Sequence, residues 1–304
     1  MDEPRPTWHP APSPPDLRLP AGAVDTHCHV FGPRAVFPFD PASRYIPGDA
    51  PKERLFALHD MLGIARRVIV QAGVHGHDNT VVADAIAARP ETTRGIALAP
   101  PDIDSAAIAR LAAQGFFGLR FNYMAHLPPG ASPDALRALA PRLAEAGWHL
   151  VIHTEPGRLA DLAPLLAALP VPVVIDHMAR IRVADAASNA AFGELLRLME
   201  QPHLWVKVSG CERASSRPWP HPDATPFASR LVEAFPDRVL WGTDWPHPNF
   251  GGLAPDDGLL VDLLARIAPD ASALQRLLVD NPARLYGFPA ESDDRPPSAA
   301  HGLG

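Results

Sequence analysis

Two histidines near the amino terminus have the spacing of metal ligands. His27 and His29 lie two positions apart in the string VDTHCHVFGP, at the end of an apolar, β-prone run. Side chains two positions apart on a strand point to the same side, so both imidazoles can face one ion or one substrate. They form half of a metal site, and the other half must come from distant parts of the chain.

Three later hydrophobic runs also end in residues that can bind a metal or transfer a proton. VIH ends at His153, VIDH ends at His177 and LWGTD ends at Asp244. The carboxyl ends of the strands meet at one mouth in a (β/α)8 barrel, so these side chains can converge although they are far apart in sequence. Three histidines and a carboxylate suit a single divalent metal such as zinc or manganese. The sequence therefore predicts metal ligation by His27, His29, His153 and Asp244.

Asp244 and His177 are the candidate catalytic residues. Asp244 can take the proton of an attacking water as general base, and His177 can polarise the carbonyl under attack or hold the developing oxyanion. Asp25 and Asp176 flank the histidines, and we expect them to orient neighbouring side chains. We interpret Cys28 as a small buried residue and not as a nucleophile.

The elements that must position these residues alternate along the chain. Short apolar runs, interpreted as strands, lie at 22–29, 67–72, 94–99, 117–122, 149–153, 172–176, 204–209 and 238–243. Amphipathic stretches, interpreted as helices, lie near 52–63, 79–88, 103–114, 133–146, 157–168, 187–200, 223–235, 257–267 and 272–284. Eight alternating units predict an α/β fold, a single (β/α)8 TIM barrel with its active site at the C-terminal ends of the strands.

Helix boundaries and chain ends complete the prediction. Asp102 and Ser132 are the expected N-caps of two helices, and Gly115 and Gly147 are the expected helix ends. Residues 1–20 form a Pro-rich arm and residues 289–304 a polar tail, and neither is expected to contribute to the core. The barrel is therefore expected to comprise residues 21–288.

Composition limits the possible partners. The chain of 304 residues is 47% hydrophobic, which allows one large core, and its net charge of -7 argues against nucleic-acid or anionic-membrane partners. Two cysteines are too few for a disulfide framework, and no apolar run approaches the ~20 residues of a membrane span. We expect a soluble, cytoplasmic protein that binds an anionic substrate with local arginines. Homo-oligomerisation through the Pro-rich arm remains open.

Several strings resemble one known family. They are VDTHCHVFGP with FPFDPASRY behind it, GLRFN, VIDHMAR, CERAS, DRVLWGTDWPHPN, PDDGLL and LLVDNPARLYGF, and they extend over about residues 22–288. Together they resemble the amidohydrolase superfamily, in its branch of 2-pyrone-4,6-dicarboxylate hydrolases. The resemblance implies a (β/α)8 barrel that opens the ring ester of a small anionic lactone.

The resemblance bears on the metal. In that branch, lactone opening is metal-independent: the aspartate of strand 8 activates water and histidines bind the carbonyl. The branch carries tyrosine at the strand-5 position, whereas this chain has His153 in VIHTEP, which resembles the metal-binding members of the wider superfamily. This departure favours a bound divalent metal, and metal-independent action by Asp244 remains the alternative.

The resemblance also implies which residues hold the substrate. Arg120 in GLRFN and Arg213 in CERAS would bind substrate carboxylates, with Tyr45 as a further donor. A second arginine of the branch is His126 here, so a muconolactone-type or sulfonated lactone fits as well as the dicarboxylate pyrone. The remaining candidates for substrate contact are His75 and Arg180.

Two other functions remain open. Superfamily relatives with the same metal ligands catalyse non-oxidative decarboxylation of unsaturated or aromatic carboxylates, and release of carbon dioxide would distinguish that reaction from lactone opening. A barrel that binds a lactone or diacid without turnover is the third hypothesis. The retained acid and base residues favour an enzyme.

Overall fold

The computed structural model describes residues 7–43, 45–127, 130–183 and 186–289, with the backbone alone at 186–188. The first six residues of the predicted arm, and positions 290–304 of the predicted tail, lie outside the described residues.

Eight parallel strands form the sheet, in the spatial order β1 to β8. Nearly all residues of these strands are buried, as expected for strands that are covered on both faces. The predicted (β/α)8 TIM barrel is confirmed, because each strand pairs with the next along the chain. The strands are β1 Val24–Cys28, β2 Arg66–Val70, β3 Thr93–Ala97, β4 Phe116–Tyr123, β5 His149–Thr154, β6 Val173–Ile175, β7 Leu204–Lys207 and β8 Val239–Leu240.

The first and last strands meet along a seam that brings the sheet round into a barrel. The backbone N–H of Thr26 donates to the carbonyl of Trp241 at 3.0 Å, and the N–H of Asp244 donates to the carbonyl of His27 at 2.8 Å. Gly242 lies between them, and a Cβ at this position would be 2.4 Å from the backbone nitrogen of His27. Only glycine fits this close approach, so the seam depends on Gly242, which follows β8 and directly precedes Thr243 and Asp244.

Helices cover the outside of the sheet. Within the described residues they are α1 Lys52–Leu62, α2 Thr80–Ala88, α3 Ser105–Ala113, α4 Pro133–Glu145, α5 Pro156–Ala168, α6 Ala186–Met199, α7 Cys211–Ala214, α8 Thr225–Ala234, α9 Asp257–Asp262, α10 Leu264–Ile267, α11 Ala271–Gln275 and α12 Asn281–Tyr286. A π-helical stretch, Arg276–Asp280, joins the last two, so the helix predicted near 272–284 is observed with a widened middle turn.

Two N-caps were predicted, and one of them is wrong. The hydroxyl of Ser132 accepts the backbone N–H of Ala135 at 3.2 Å, as an N-cap does. Asp102 does not cap α3: the carboxylate of Asp104 accepts the N–H of Ala107 at 2.7 Å instead. The helix begins two residues later than expected because the chain first turns after Pro101.

The core has two parts. The larger lies between the sheet and the helices. The smaller fills the barrel interior and is closed at the amino-terminal ends of the strands by the last described segment, in which Tyr286 is fully buried and Phe288 nearly so. The barrel is therefore a packed core and not a channel, and the predicted site residues lie at the opposite, carboxyl-terminal mouth.

The amino-terminal arm lies against the barrel. From sequence, the arm is expected to stay outside the core, whereas Trp8, Leu17 and Leu19 are partly buried and pack against it. The apolar side chains of this Pro-rich segment therefore pack on the surface of the folded barrel, although the segment cannot form a core by itself.

None of the helices in the described ranges has both the length and the apolar composition needed to cross a membrane.

Candidate active site

Four of the predicted site residues meet at the mouth of the barrel. The Oδ1 atom of Asp244 lies 3.2 Å from Nε2 of His29, 3.6 Å from Nε2 of His177 and 3.7 Å from Nε2 of His27. All four residues are at most 3% exposed. One carboxylate oxygen is thus surrounded by three imidazole nitrogens in a site that excludes most water.

The loop after β6 places His177 through an unusual backbone. His177, Met178, Ala179 and Arg180 all have left-handed conformations, with φ between 48° and 56°. Each such residue with a side chain costs roughly 1–2 kcal/mol, so the turn persists only because packing holds it. Ser209 contacts Nδ1 of His177 at 2.9 Å and fixes the ring, so that Nε2 points at Asp244.

Asp244 is held from two sides. Its own φ is 61°, in the left-handed region, and its N–H is bonded to His27 across the seam. Its second carboxylate oxygen, Oδ2, lies 2.9 Å from Nη2 of Arg213. Burial alone would raise the pKa of Asp244, but Arg213 and then the histidines outweigh it and hold the pKa well below its usual range. Asp244 is therefore a carboxylate and can accept a proton.

His153 stands beside this group without contacting Asp244. Its ring centroid is 6.2 Å from that of His177, and Asn122 holds its Nδ1 atom at 3.0 Å through Oδ1. Its Nε2 atom is buried and, among the described residues, has no hydrogen-bond partner. An amide oxygen on Nδ1 implies a proton there, which leaves a lone pair on Nε2.

The residues fit a divalent cation. His27, His177 and Asp244 present ligand atoms that all lie within 4.8 Å of one another. Nε2 of His27, like that of His153, is buried without a hydrogen-bond partner in the described part of the chain. Burial, followed by the charge of Lys207, lowers the pKa of His27 to about 3, and burial lowers the pKa values of His153 and His177 well below the usual range. These imidazoles are neutral at physiological pH, as metal ligands must be.

The predicted metal ligands differ in part from the observed group of His27, His177 and Asp244. His27 and Asp244 were predicted as ligands, whereas His177 was predicted to bind the carbonyl. His29 contacts Asp244, and its Nδ1 atom contacts the carbonyl oxygen of Val70 at 2.7 Å.

A buried lysine at the end of β7 was missed from sequence. Lys207 is fully buried, and its Nζ atom lies 2.9 Å from Nδ1 of His27 and 3.1 Å from Oδ1 of Asp176. Oδ2 of Asp176 accepts a hydrogen bond from Nε of Arg120 at 2.9 Å. Asp176 thus pairs with two cations, and its Oδ1 atom also lies 3.2 Å from Nδ1 of His27, which orients that ring. The available signal was a lone lysine inside the apolar string LWVKVSG, because an apolar strand tolerates a charge only when it is paired.

A second network ties β1 to the end of β8. Asp25 accepts hydrogen bonds from the hydroxyl of Thr243 at 2.6 Å and from the backbone of His27 at 2.9 Å, and it contacts Nε2 of His59 at 3.0 Å. Nε of Arg67 donates to the other ring nitrogen of His59 at 3.0 Å. Asp25 and His59 are therefore satisfied by these contacts, and Sγ of Cys28 donates to the carbonyl of Val68 at 3.5 Å, so the grouping of these three residues does not favour a metal.

The predicted substrate-binding residues fall into three situations. Arg120 and Arg213 are already paired, with Asp176 and Asp244 respectively. Arg180 forms no ion pair within the described ranges, and burial, with help from Arg213, lowers its pKa to about 10. The hydroxyl of Tyr45 accepts a long hydrogen bond from the backbone of Asn249, at 3.3 Å.

The last two predicted substrate contacts lie outside the strands, and His75 ends a short 3-10 helix, Gly73–His75. Nδ1 of His75 contacts the carbonyl oxygen of Pro38 at 3.2 Å, and its Nε2 atom is buried without a partner in the described part of the chain. His126 is exposed in the loop after β4.

Comparison with known proteins places this geometry in a family. The amidohydrolase family model matches residues 24–288. A 2-pyrone-4,6-dicarboxylate hydrolase from Comamonas testosteroni is 47% identical over 288 residues, which cover 92% of this chain and 94% of that protein. A 4-sulfomuconolactone hydrolase from Rhizobium radiobacter is 38% identical over 278 residues, which cover 90% and 93%.

A solved structure is similar over nearly the same span. It is a protein from Acinetobacter baumannii described as a probable 2-pyrone-4,6-dicarboxylic acid hydrolase with citric acid bound. It is 26% identical, has a TM-score of 0.77, and the match covers 88% of this chain and 100% of that one.

Proposed function

The chain belongs to the amidohydrolase family and is a hydrolase, and from this premise we propose that it opens the ring ester of a small anionic lactone of the 2-pyrone-4,6-dicarboxylate or muconolactone type. Relatives named as hydrolases of 2-pyrone-4,6-dicarboxylate and of 4-sulfomuconolactone support this substrate class. The observation that carries the proposal is the carboxylate of Asp244, ionised and surrounded by three imidazoles at the barrel mouth.

Asp244 is the proposed general base. Its ionised state, supported by the pairing with Arg213, allows it to take the proton of a water that attacks the lactone carbonyl. The C–O bond of the ring then breaks, and the proton held by Asp244 is available to the departing ring oxygen. Positioned base catalysis of this kind contributes about 10²- to 10⁴-fold in rate.

His177 is the proposed donor to the carbonyl oxygen. If the hydroxyl of Ser209 donates to Nδ1 of His177, the ring proton lies on Nε2 and faces the site. A neutral imidazole can then stabilise the oxyanion through that N–H without changing its own charge. The low pKa of His177, caused by burial, supports the neutral form.

A divalent metal, zinc or manganese, fits the same residues. His27, His153 and Asp244 would hold it, with His29 or His177 completing the set, because two of these imidazoles present unpartnered Nε2 atoms. When bound, such a metal supplies Lewis-acid polarisation of the carbonyl and a lower pKa for water. Action without metal is the alternative, with the histidines as hydrogen-bond donors.

The arginines would bind the acidic substituents. Arg180 lacks an ion-pair partner among the described residues and is therefore the group most available to a carboxylate or sulfonate. Arg213 would contact a second anion by exchanging its pairing with Asp244, and Arg120 would contribute from its pair with Asp176. Tyr45 is a further donor.

The test is a panel of lactones offered to the purified protein with and without added zinc or manganese. We expect loss of the lactone chromophore with release of one acid equivalent, and a loss of about 10³-fold in D244N. D237N is the matched control, because Asp237 is exposed and precedes the same strand. An untouched panel under every metal condition contradicts the proposal, and release of carbon dioxide from an unsaturated acid identifies a decarboxylase instead.

A further inference from the structure

The arm at the amino terminus contacts the loop that bears Asp244. We use the term strap for residues 7–17. The hydroxyl of Thr7 donates to the carbonyl of Pro246 at 2.5 Å. The ring of Trp8 packs against that of Trp245, with centroids 6.4 Å apart. The guanidinium of Arg54, on α1, lies 5.5 Å from the centroid of the Trp8 ring. The strap thus touches the two residues that directly follow Asp244.

A second set of contacts fixes the far end of the strap. Asp256, the N-cap of α9, accepts hydrogen bonds from the backbone N–H of Ser13 at 2.9 Å and from its hydroxyl at 2.7 Å. The carbonyl oxygen of Ser13 lies where a side chain on Gly258 would be, 1.8 Å from an ideal Cβ. The N–H of Leu17 donates to Asp262 at 2.8 Å. These contacts make the strap a built part of the fold.

The loop between Asp244 and α9 has a strained backbone, although contacts besides the strap also hold it: the N–H of His29 donates to the carbonyl of Trp245 at 2.7 Å, and Nε2 of His247 lies 3.0 Å from Oδ1 of Asp257. Asp244, His247 and Asn249 all have φ near 60°, a conformation that residues with side chains rarely adopt. Local hydrogen bonds join His247 to Asp244 at 2.7 Å and Phe250 to His247 at 3.1 Å. Such a strained segment keeps one conformation only when its surroundings hold it, and the strap covers Trp245 and Pro246.

We propose that the strap is a positioning element that holds the carboxylate of Asp244 in place by bracing Trp245 and Pro246. Thr7 and Trp8 are the positioning residues, and Ser13 is the anchor that keeps them there. The kinetic consequence rests on the proposed function, whereas the bracing of the loop does not. A displacement of about 1 Å in a catalytic group can cost about 100-fold in rate, so this contact matters to catalysis.

The test uses the full-length chain with one added methyl group. G258A drives the carbonyl of Ser13 away from α9 and leaves every side chain of the catalytic site unchanged. G157A is the matched control, because Gly157 is also the second residue of a helix and a Cβ there has nothing within 4 Å. W8A removes the brace directly, and W8F restores an aromatic ring.

Two readouts separate positioning from stability. We expect faster amide hydrogen exchange over residues 243–250 in G258A and W8A, with kcat for the lactone falling about tenfold and KM changing less than twofold. W8F and G157A should behave as the unmodified protein. If G258A does not fold, the comparison of W8A with W8F decides whether the strap positions the loop.

Lower thermal stability with unchanged kcat and unchanged exchange at 243–250 would overturn the inference, because the strap would then contribute stability alone. If the unmodified protein opens no lactone, the proposed function fails, and hydrogen exchange by itself still decides whether the strap braces the loop.

Discussion

Asp244 shows how neighbouring groups determine what a buried carboxylate does. Burial favours its protonated form, but a guanidinium on one oxygen and three imidazoles around the other keep it ionised. Arg213 pairs with Asp244 in this structure, and under the proposed function it would also contact an acidic group of the substrate. The identities of Asp244 and of its histidine neighbours were predictable because each ends an apolar run. The pairing with Arg213 was not, because sequence spacing does not show which cation reaches which carboxylate.

The sequence resemblance implies that His126 stands where the related branch has an arginine, and replacing it tests substrate specificity. We expect H126R to lower KM for 2-pyrone-4,6-dicarboxylate about tenfold, because an arginine–carboxylate hydrogen bond contributes about 1.5–3 kcal/mol and His126 is exposed. Steady-state kinetics with this lactone and with one that lacks the second carboxylate measure the effect. Q201R adds the same charge at an exposed position before β7 and should change neither. An equal gain on both lactones would contradict a specific contact.

Asn122 is expected to orient His153 for metal binding. Its side-chain oxygen contacts Nδ1 of His153 at 3.0 Å, and losing such a partner commonly weakens metal affinity 10- to 100-fold. We therefore expect N122A to bind zinc at least tenfold more weakly in competition with a chromophoric chelator. N189A, at an exposed position of α6, is the control. Equal zinc affinity in N122A would contradict the role of Asn122, and an unmodified protein that retains no zinc would contradict the metal site itself.

At the scale of elements, the strands were predictable and some details of their ends were not. All eight strand positions follow from short apolar runs between amphipathic stretches. Lys207 was missed because one lysine does not change the apolar character of its strand. The left-handed turn at His177 was missed because its sequence, HMAR, contains no glycine or asparagine to indicate positive φ. Tertiary packing imposes that turn, and local propensity does not reveal it.

The start of α3 gives a prediction about stability. D104A should lower the free energy of unfolding by about 1 kcal/mol, because the carboxylate of Asp104 caps the N–H of Ala107. D102A, which removes the cap expected from sequence, should change it by less than about 0.5 kcal/mol. Urea unfolding of both variants measures the difference. A larger loss in D102A than in D104A would show that the helix begins earlier than observed.

At the scale of the whole molecule, burial of neutral histidines makes stability depend on pH. His149 is 1% exposed, with its ring against that of Tyr286, and burial followed by Lys207 lowers its pKa from 6.5 to about 3. In the unfolded chain His149 becomes protonated below about pH 6.5, whereas in the folded chain it becomes protonated only near pH 3. The stabilisation is therefore complete above pH 6.5 and is lost as the pH falls toward 3.

H149N should make the fold less sensitive to acid. Each protonation difference contributes about 1.4 kcal/mol per pH unit, so between pH 7.5 and pH 5.0 the variant should lose about 2 kcal/mol less stability than the unmodified protein. Urea unfolding at the two pH values measures this, and H126N controls for removal of an exposed imidazole. Identical acid sensitivity in H149N and the unmodified protein would contradict a neutral buried His149.

The seam at Gly242 has a consequence for how the enzyme comes into being on the ribosome. His27 and His29 emerge early, but the carboxylate that faces them follows 215 residues behind. A nascent chain therefore carries only the early histidines of the proposed catalytic centre for most of its synthesis. Under the proposed function, turnover would begin only after β8 has docked, so lactone opening in a translation mixture would report when the barrel closes.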